Sequence, residues 1–131
     1  MRVLLMDTSV VSAILGRDEG AIEQLRTEVA EGSRILLSRV VDFEVRRGFA
    51  YRPNEKKERF YVRLRSLLEW CEVEPGDWEW SIQSYASARK SGKSPGDADL
   101  LLAAQAARTR AVVVSRDKDF DHLDVPRVPW D

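Results

Sequence analysis

The sequence predicts an α/β domain in which a mainly parallel sheet is covered by helices on both faces. Four short apolar runs, at residues 3–6, 35–37, 71–73 and 111–114, indicate buried strands. These runs do not alternate with polar residues, which is typical of strands in parallel sheets. Helical patterns separate the runs, and alternation of strands and helices favours a parallel arrangement. The 131 residues are a usual size for one domain, so we expect a single domain over 1–131.

The remaining elements are predicted from spacing and turn residues. Asp7, Thr8 and Ser9 follow the first strand and carry oxygens that can cap a helix beginning near Val10. A fifth strand at 125–128 contains Pro126, which restricts it to an edge of the sheet. Apolar residues near the 3.6-residue period predict helices around 22–29, 60–68 and 78–85. Further helices are expected from about Arg39 to Ala50 and through Leu100 to Ala107. Residues 92–96 form the clearest loop, and Asp97 after it is a candidate helix cap.

Composition narrows the classes of protein. The 21 basic and 22 acidic side chains nearly cancel, so any affinity for nucleic acid must come from a local patch. Cys71 is the only cysteine, which excludes an internal disulfide and is typical of a reducing compartment. No signal-peptide pattern and no apolar stretch of about 20 residues occurs, so we expect a cytoplasmic protein without membrane contact.

Acidic residues fall where ligands bind in open parallel sheets, beyond the carboxyl ends of the strands. Asp7 follows the first strand and Asp117 follows the fourth, while Glu44 lies on the helix after the second strand. Asp97 and Asp99 fall in the first turn of the helix that follows the loop. Each acid taken alone has an ordinary explanation as a cap, a partner of the helix dipole or, for Glu44, a partner of Arg46 or Arg47. Carboxylates that converge repel one another, however, and a divalent cation such as Mg²⁺ or Mn²⁺ would relieve that repulsion.

The sequence contains few of the residues that other kinds of catalytic site require. His122 is the only histidine and lies in an acid-rich tail, so a Ser/His/Asp or Cys/His site has a poor starting point. Cys71 lies in an apolar run and is expected to be a small core residue. Residues 92–94 resemble only the end of a nucleotide-binding phosphate loop, without its upstream glycine. Metal-assisted hydrolysis or phosphoryl chemistry is what remains.

The segment 46–65 is locally basic, with eight basic residues against two glutamates and aromatic residues interleaved. Such a surface suits RNA phosphates and unpaired bases, or a protein partner. It is equally what an amphipathic helix with a solvated outer face would show, and the sequence leaves both interpretations open.

Four motifs together resemble the PIN-domain ribonucleases, and within them the VapC-type toxins of toxin-antitoxin pairs. The motifs are LLMDTSVV at 4–11, LSRVVDFEVRRG at 37–48, PGDADLLLAAQA at 95–106 and VVVSRDKDF at 112–120. The set covers essentially the whole chain in the order of the family. The resemblance implies a three-layer α/β/α sandwich, a Mg²⁺- or Mn²⁺-dependent endoribonuclease that cleaves RNA, a homodimer and a cognate antitoxin that covers the site.

The resemblance also implies the site residues. Asp7, Glu44, Asp99 and Asp117 match the catalytic acids of the family, and we expect Asp7 and Asp99 to be the metal ligands. Ser9 resembles a hydroxyl residue that orients the first acid or a phosphate oxygen. The roles of Asp97 and Asp119 stay open, Asp97 being treated as a cap with a possible supporting role.

Four alternative functions could use the same acids. One is a PIN-domain nuclease of RNA processing that has no antitoxin, and another is a PIN fold that binds without cleaving, against which the complete acid set argues. A receiver-like magnesium-binding signalling module would place a second acid near the first strand and a lysine after a late strand. The chain instead has Thr8 and Ser9 after Asp7, and Ser9 also departs from the second aspartate that a haloacid-dehalogenase-type phosphatase needs.

Overall fold

The computed structural model describes residues 2–131 and contains a five-stranded sheet in which all neighbouring strands are parallel. The strand order is β3-β2-β1-β4-β5. The strands are β1 (Val3–Met6), β2 (Arg34–Ser38), β3 (Glu69–Cys71), β4 (Val112–Val114) and β5 (Arg127–Val128). The helices are α1 (Thr8–Leu15), α2 (Glu19–Ala30), α3 (Arg39–Tyr51), α4 (Glu55–Arg65), α5 (Pro75–Lys90) and α6 (Asp97–Thr109), and a short 3₁₀ helix spans Lys118–His122.

The order of the strands determines where a site can form. From β1 the chain moves outward to β2 and β3, and it then returns across the sheet to β4 on the other side of β1. Because parallel crossovers are right-handed, the two directions of travel place helices on both faces of the sheet. The direction reverses between β1 and β4, whose carboxyl ends pair Met6 with Val114. A crevice for a ligand is expected at this reversal point.

The core confirms the apolar strand patterns. Leu4, Leu5 and Met6 of β1 and Val113 and Val114 of β4 are fully buried. Both faces of these central strands are therefore covered, which explains why their sequences lack an alternating pattern. The predicted α/β fold with a parallel sheet is confirmed, and no helix within residues 2–131 is long and apolar enough to cross a membrane.

Several boundaries differ from the sequence-based expectation. The first helix begins at Thr8 rather than near Val10, because Asp7 adopts the extended backbone of an N-cap directly after the strand. The third strand ends at Cys71 rather than beginning there, since its register is determined by pairing with β2. Pro126 lies just outside the edge strand β5, where its carbonyl accepts a bond from the amide of Val113 (2.9 Å).

Two helix assignments also change. Gly96, not Asp97, is the N-cap of α6, so Asp97 occupies the first helical position. In α5 the period of Trp78, Ile82 and Tyr85 correctly predicts a helix, but these side chains are 45–56% exposed. The buried residues of α5 are instead Asp77, Ser81 and Ala88, and Asp77 pairs with Arg108 of the neighbouring helix α6 (3.0 Å).

Candidate functional site

Asp7 lies at the carboxyl end of β1, where its backbone amide donates to the carbonyl of Val114 (2.9 Å). Although it occupies the N-cap position of α1, its carboxylate does not cap the helix. Oδ2 instead accepts hydrogen bonds from the hydroxyls of Ser9 (3.0 Å) and Ser115 (2.8 Å), and the residue is only 9% exposed. A nearly buried carboxylate held only by neutral hydroxyls keeps its charge largely uncompensated.

Asp117 is connected to Asp7 through Ser115. The buried Ser115 hydroxyl donates to Asp7 and accepts the backbone amide of Asp117 (3.0 Å). The carboxylate of Asp117 caps the 3₁₀ helix by accepting the amide of Asp119 (2.9 Å), as the sequence suggested, and remains exposed. One hydroxyl thus ties the ends of β1 and β4 together at the reversal point.

The loop that follows β4 is held by arginines on both sides. Arg116 donates to Asp18 (3.0 Å) and to the carbonyl of Trp130 (2.8 Å). Arg127 donates to the carbonyl of Ser115 (2.9 Å) and pairs with Asp121. These contacts position the loop, and each of the two guanidinium groups already forms an ion pair with a carboxylate outside the candidate site.

Glu44 projects from α3 toward the start of α1. Its Oε1 accepts a hydrogen bond from the hydroxyl of Thr8 at 2.7 Å. The sequence offered Arg46 or Arg47 as partners, and the structure does not place either there: Arg46 pairs with Asp42 (3.6 Å) and Arg47 stacks over Phe43. The neutral hydroxyl of Thr8 therefore holds Glu44 near the carboxyl end of β1.

Asp99 lies in the first turn of α6 and is partly buried. Burial and the negative charge of nearby carboxylates raise the pKa of Asp99 to about 6, and these neighbours are Asp7, Asp117, Glu44 and Asp119. Mutual influence of this kind requires short distances, because dissolved salt at about 0.1 M screens exposed charges from one another beyond about 10 Å. Asp99 therefore lies near these four carboxylates, while Ser115 links Asp7 to Asp117 and Thr8 binds Glu44 at the start of α1. We call the region around Asp7, Glu44, Asp99 and Asp117 the acidic pocket.

The acids of the pocket have no direct ion-pair partner in the part of the chain that the structure describes, although Arg127 interacts with the charge of Asp117 from a longer distance. Within residues 2–131, none of the ion pairs involves Asp7, Glu44, Asp99 or Asp117. Over the same residues, no three His, Cys, Asp or Glu side chains form a ready-made metal-binding group. Mg²⁺ is compatible with that spacing, because it retains several waters and is usually held by one or two carboxylates. The donor set, consisting of carboxylate oxygens without a cation, fits such an ion.

Sequence reasoning missed two hydroxyl residues of this pocket. The sequence predicts a helix-capping role for Thr8 and contains Ser115 only as part of the motif at 112–120. Both instead hold acids that lie 36 and 108 residues away along the chain. No local signal distinguishes a hydroxyl that caps a helix from one that holds a distant carboxylate.

Residues outside the pocket behave largely as expected. Cys71 is buried, and burial raises the pKa of its thiol, as a core residue requires. His122 is exposed in the 3₁₀ helix. Asp97 is exposed at the first position of α6 and makes no side-chain cap.

The chain belongs to the PIN domain family, whose sequence profile matches residues 4–126. Its fold is similar to that in a solved structure described as VapBC2 from Rickettsia felis bound to a DNA fragment from their promoter. That likeness has a TM-score of 0.90 at 18% identity, covering 98% of this chain and 99% of the other. FitAcB from Neisseria gonorrhoeae is similar with a TM-score of 0.83 at 26% identity, over 97% of both chains. A toxin-antitoxin complex from Klebsiella pneumoniae gives a TM-score of 0.75 at 18% identity, over 98% of both. No curated protein matches the chain by sequence.

Proposed function

We propose that this PIN domain is a Mg²⁺- or Mn²⁺-dependent endoribonuclease and the toxin of a toxin-antitoxin pair. The proposal is supported by the mutual influence of the carboxylates of Asp7, Glu44, Asp99 and Asp117, none of which forms an ion pair within residues 2–131. Family membership and the fold shared with VapBC structures support a nuclease toxin. Membership of the PIN family does not favour the receiver-like alternative.

The arrangement of hydrogen bonds indicates which oxygens are available. Ser9 and Ser115 both bind Oδ2 of Asp7, which leaves Oδ1 without a hydrogen-bond donor among residues 2–131. Over the same residues the carboxylate of Asp99 has no hydrogen-bond partner. Asp7 and Asp99 would hold the metal ion, with Glu44 and Asp117 completing the acidic pocket. A bound divalent ion lowers the pKa of a coordinated water and stabilises negative charge on phosphate oxygens.

The remaining side chains orient the acids. Thr8 donates a hydrogen bond to one oxygen of Glu44. The other oxygen is left free to accept a proton from water or to contact another group through a water molecule. Ser115 keeps the Asp7 carboxylate and the Asp117 backbone in register, so that a phosphate entering between β1 and β4 meets both acids. Such preorganisation reduces the rearrangement needed when charge develops in the reaction.

The test compares RNA cleavage by purified wild type, Asp7→Asn and Asp99→Asn in Mg²⁺. Both substitutions remove an anchor carboxylate and should reduce cleavage by at least a hundredfold, while circular dichroism shows folded protein. Asp97→Asn is the matched control, because this exposed residue lies two positions before Asp99 in the same helical turn. Unimpaired cleavage by both anchor variants would refute the assignment.

An open apolar groove between α2 and α4 suits the antitoxin. Its apolar lining comes from α1, α2, α4 and the residue Leu67, and Arg26 and Arg63 border it. We propose that an antitoxin segment with apolar anchors and acidic residues binds here.

Val29 and Leu67 are 44% and 59% exposed, so Val29→Asp and Leu67→Asp should preserve folding and cleavage. Both variants should escape neutralisation by the product of the neighbouring reading frame. If no neighbouring product neutralises the wild type, the alternative of an RNA-processing nuclease without antitoxin is favoured.

A second unpartnered surface favours the homodimer. Trp78, Ile82 and Tyr85 of α5 form an exposed apolar face, which continues onto Leu101 of α6. Large exposed apolar patches typically mark protein contacts. We propose that two copies pair through this face, and Ile82→Asp should convert a dimer into a monomer in sedimentation experiments. A dimer that survives this change would contradict the choice of surface.

A further inference from the structure

Helix α3 carries an exposed row of alternating arginine and aromatic side chains. Arg39, Phe43, Arg47 and Tyr51 follow one another at four-residue spacing, which places them along one side of the helix. Trp70, on the edge strand β3, extends the row beyond Arg39. We call these five residues the α3 row. Twelve residues of helix span about 18 Å, a length that accommodates several nucleotides of a single strand.

The aromatic rings of the row remain accessible although arginines stack on them. The guanidinium carbon of Arg39 lies 3.6 Å from the centre of the Trp70 ring, and that of Arg47 lies 5.0 Å from the centre of the Phe43 ring. Phe43 is nevertheless 60% exposed, Tyr51 82% and Trp70 40%. Arginines that served only to shield the rings would leave much less of them in contact with water. Phe43 and Tyr51 are therefore open enough for another planar group to stack on them, whereas Trp70 is contacted by both Arg39 and Arg65 and contributes less.

The charge of the row is positive and only partly compensated. Arg39 pairs with Glu72 at 2.8 Å. Arg47 makes no ion pair with any carboxylate in residues 2–131, and Arg52, beside Tyr51, makes none either. The nearby carboxylate of Asp42 is buried and already bound by other side chains of the domain. Free guanidinium groups between exposed rings match a ligand that is both anionic and aromatic.

The row also lies beside the acidic pocket. Glu44 is adjacent to Phe43 in sequence and three residues before Arg47, so on the helix its side chain lies next to the row. The hydrogen bond from Thr8 places the Glu44 carboxylate near the carboxyl end of β1, close to the other acids. A strand whose phosphate enters the pocket would extend directly onto the row.

We propose that the α3 row binds unpaired nucleotides next to the scissile phosphate, with the rings stacking on bases and Arg47 contacting phosphate. This inference rests on the proposed ribonuclease function. Bases inside a duplex are already stacked on one another, so the row selects single-stranded segments of the substrate. The row thereby supplies a specificity that the acids, which contact only phosphate, lack.

Binding is measured by fluorescence anisotropy of a short labelled oligouridylate in EDTA, which prevents cleavage. Phe43→Ala removes one stacking platform and should weaken binding by about 5- to 100-fold, whereas Phe43→Trp should restore it. Arg47→Ala should weaken binding and reduce the slope of log affinity against log salt by about 1. Arg89→Ala, an exposed arginine on α5, is the matched charge control and should have little effect. Annealing the probe to oligoadenylate should weaken wild-type binding.

The outcomes separate this inference from the proposed function. Cleavage by wild type in Mg²⁺ is measured independently, so its absence refutes the nuclease assignment whatever the binding shows. If wild type cleaves RNA but Phe43→Ala binds oligouridylate as wild type does, the row is not a nucleotide site. Equal binding of single strand and duplex would likewise overturn the role of stacking. Loss of antitoxin binding by Phe43→Ala with unchanged RNA binding would instead assign the row to the protein partner.

Discussion

Replacing Asp99 with asparagine should stabilise the metal-free protein, in a way that depends on pH. Burial and the surrounding carboxylates raise the pKa of Asp99 from 3.8 to about 6. The folded protein therefore binds a proton at Asp99 more tightly than the unfolded chain does. Below about pH 4 Asp99 is protonated in both the folded and the unfolded state, so it does not lower the free energy of unfolding. The loss of stability develops as the pH rises and is complete above about pH 6. Asparagine carries no charge and escapes this penalty.

The size of the effect follows from the same difference. One pKa unit corresponds to about 1.4 kcal/mol, so an upper bound is about 3 kcal/mol. Asp99 is only partly buried, and solvent screening reduces this to about 1.5 kcal/mol. A negative charge in the first turn of α6 interacts favourably with the helix dipole, which returns about 0.5 kcal/mol to the wild type. We expect a net gain of about 1 kcal/mol above pH 7, or roughly 3–5 °C in Tm.

The assay is thermal unfolding of wild type and Asp99→Asn in EDTA between pH 4 and pH 8. The advantage of the variant should be largest at pH 8 and disappear near pH 4. Asp97→Asn is the control, because it removes a first-turn charge outside the pocket and should lower Tm slightly at pH 8. Adding Mg²⁺ should raise the Tm of wild type more than that of Asp99→Asn. A variant that is no more stable than wild type at pH 8, or equally stabilised at pH 4, would refute the convergence of charge in this pocket.

Three further outcomes follow from the structure. Ser115→Ala removes the hydroxyl that joins Asp7 to the Asp117 amide; it should cost about 1–3 kcal/mol in urea unfolding and lower cleavage at least tenfold, and unchanged stability would contradict the two hydrogen bonds. Arg108→Ala leaves the buried carboxylate of Asp77 without its ion pair and should cost about 3–5 kcal/mol in the same measurement, although neither residue lies in the pocket; a loss below about 1 kcal/mol would contradict the pairing. Removal of divalent ions with EDTA should abolish RNA cleavage, and added Mg²⁺ should restore it; cleavage that persists in EDTA would refute metal dependence.

The sequence by itself determined the parallel sheet and placed the acids at the carboxyl ends of its strands. Apolar runs that do not alternate with polar residues form strands covered on both faces of the sheet. The residue that follows such a strand lies at its carboxyl end, where ligands bind in parallel sheets. Asp7 and Asp117 could be placed in this way because each directly follows a strand. Glu44 and Asp99 could be placed only on helices, since a helical period does not specify what a given face meets.

Tertiary structure decided everything that depends on distant parts of the chain meeting. Thr8 binds Glu44 and Ser115 binds Asp7 only because the strand order brings β4 beside β1 and α3 beside α1. The same holds for the exposed face of α5: its apolar period indicated a helix, but the folded chain buries Asp77, Ser81 and Ala88 of that helix and leaves Trp78 exposed. The local sequence specifies which elements form because hydrogen bonding and periodicity act over a few residues. The partners of each side chain, and hence the charge of the pocket, depend on contacts that only the folded chain creates.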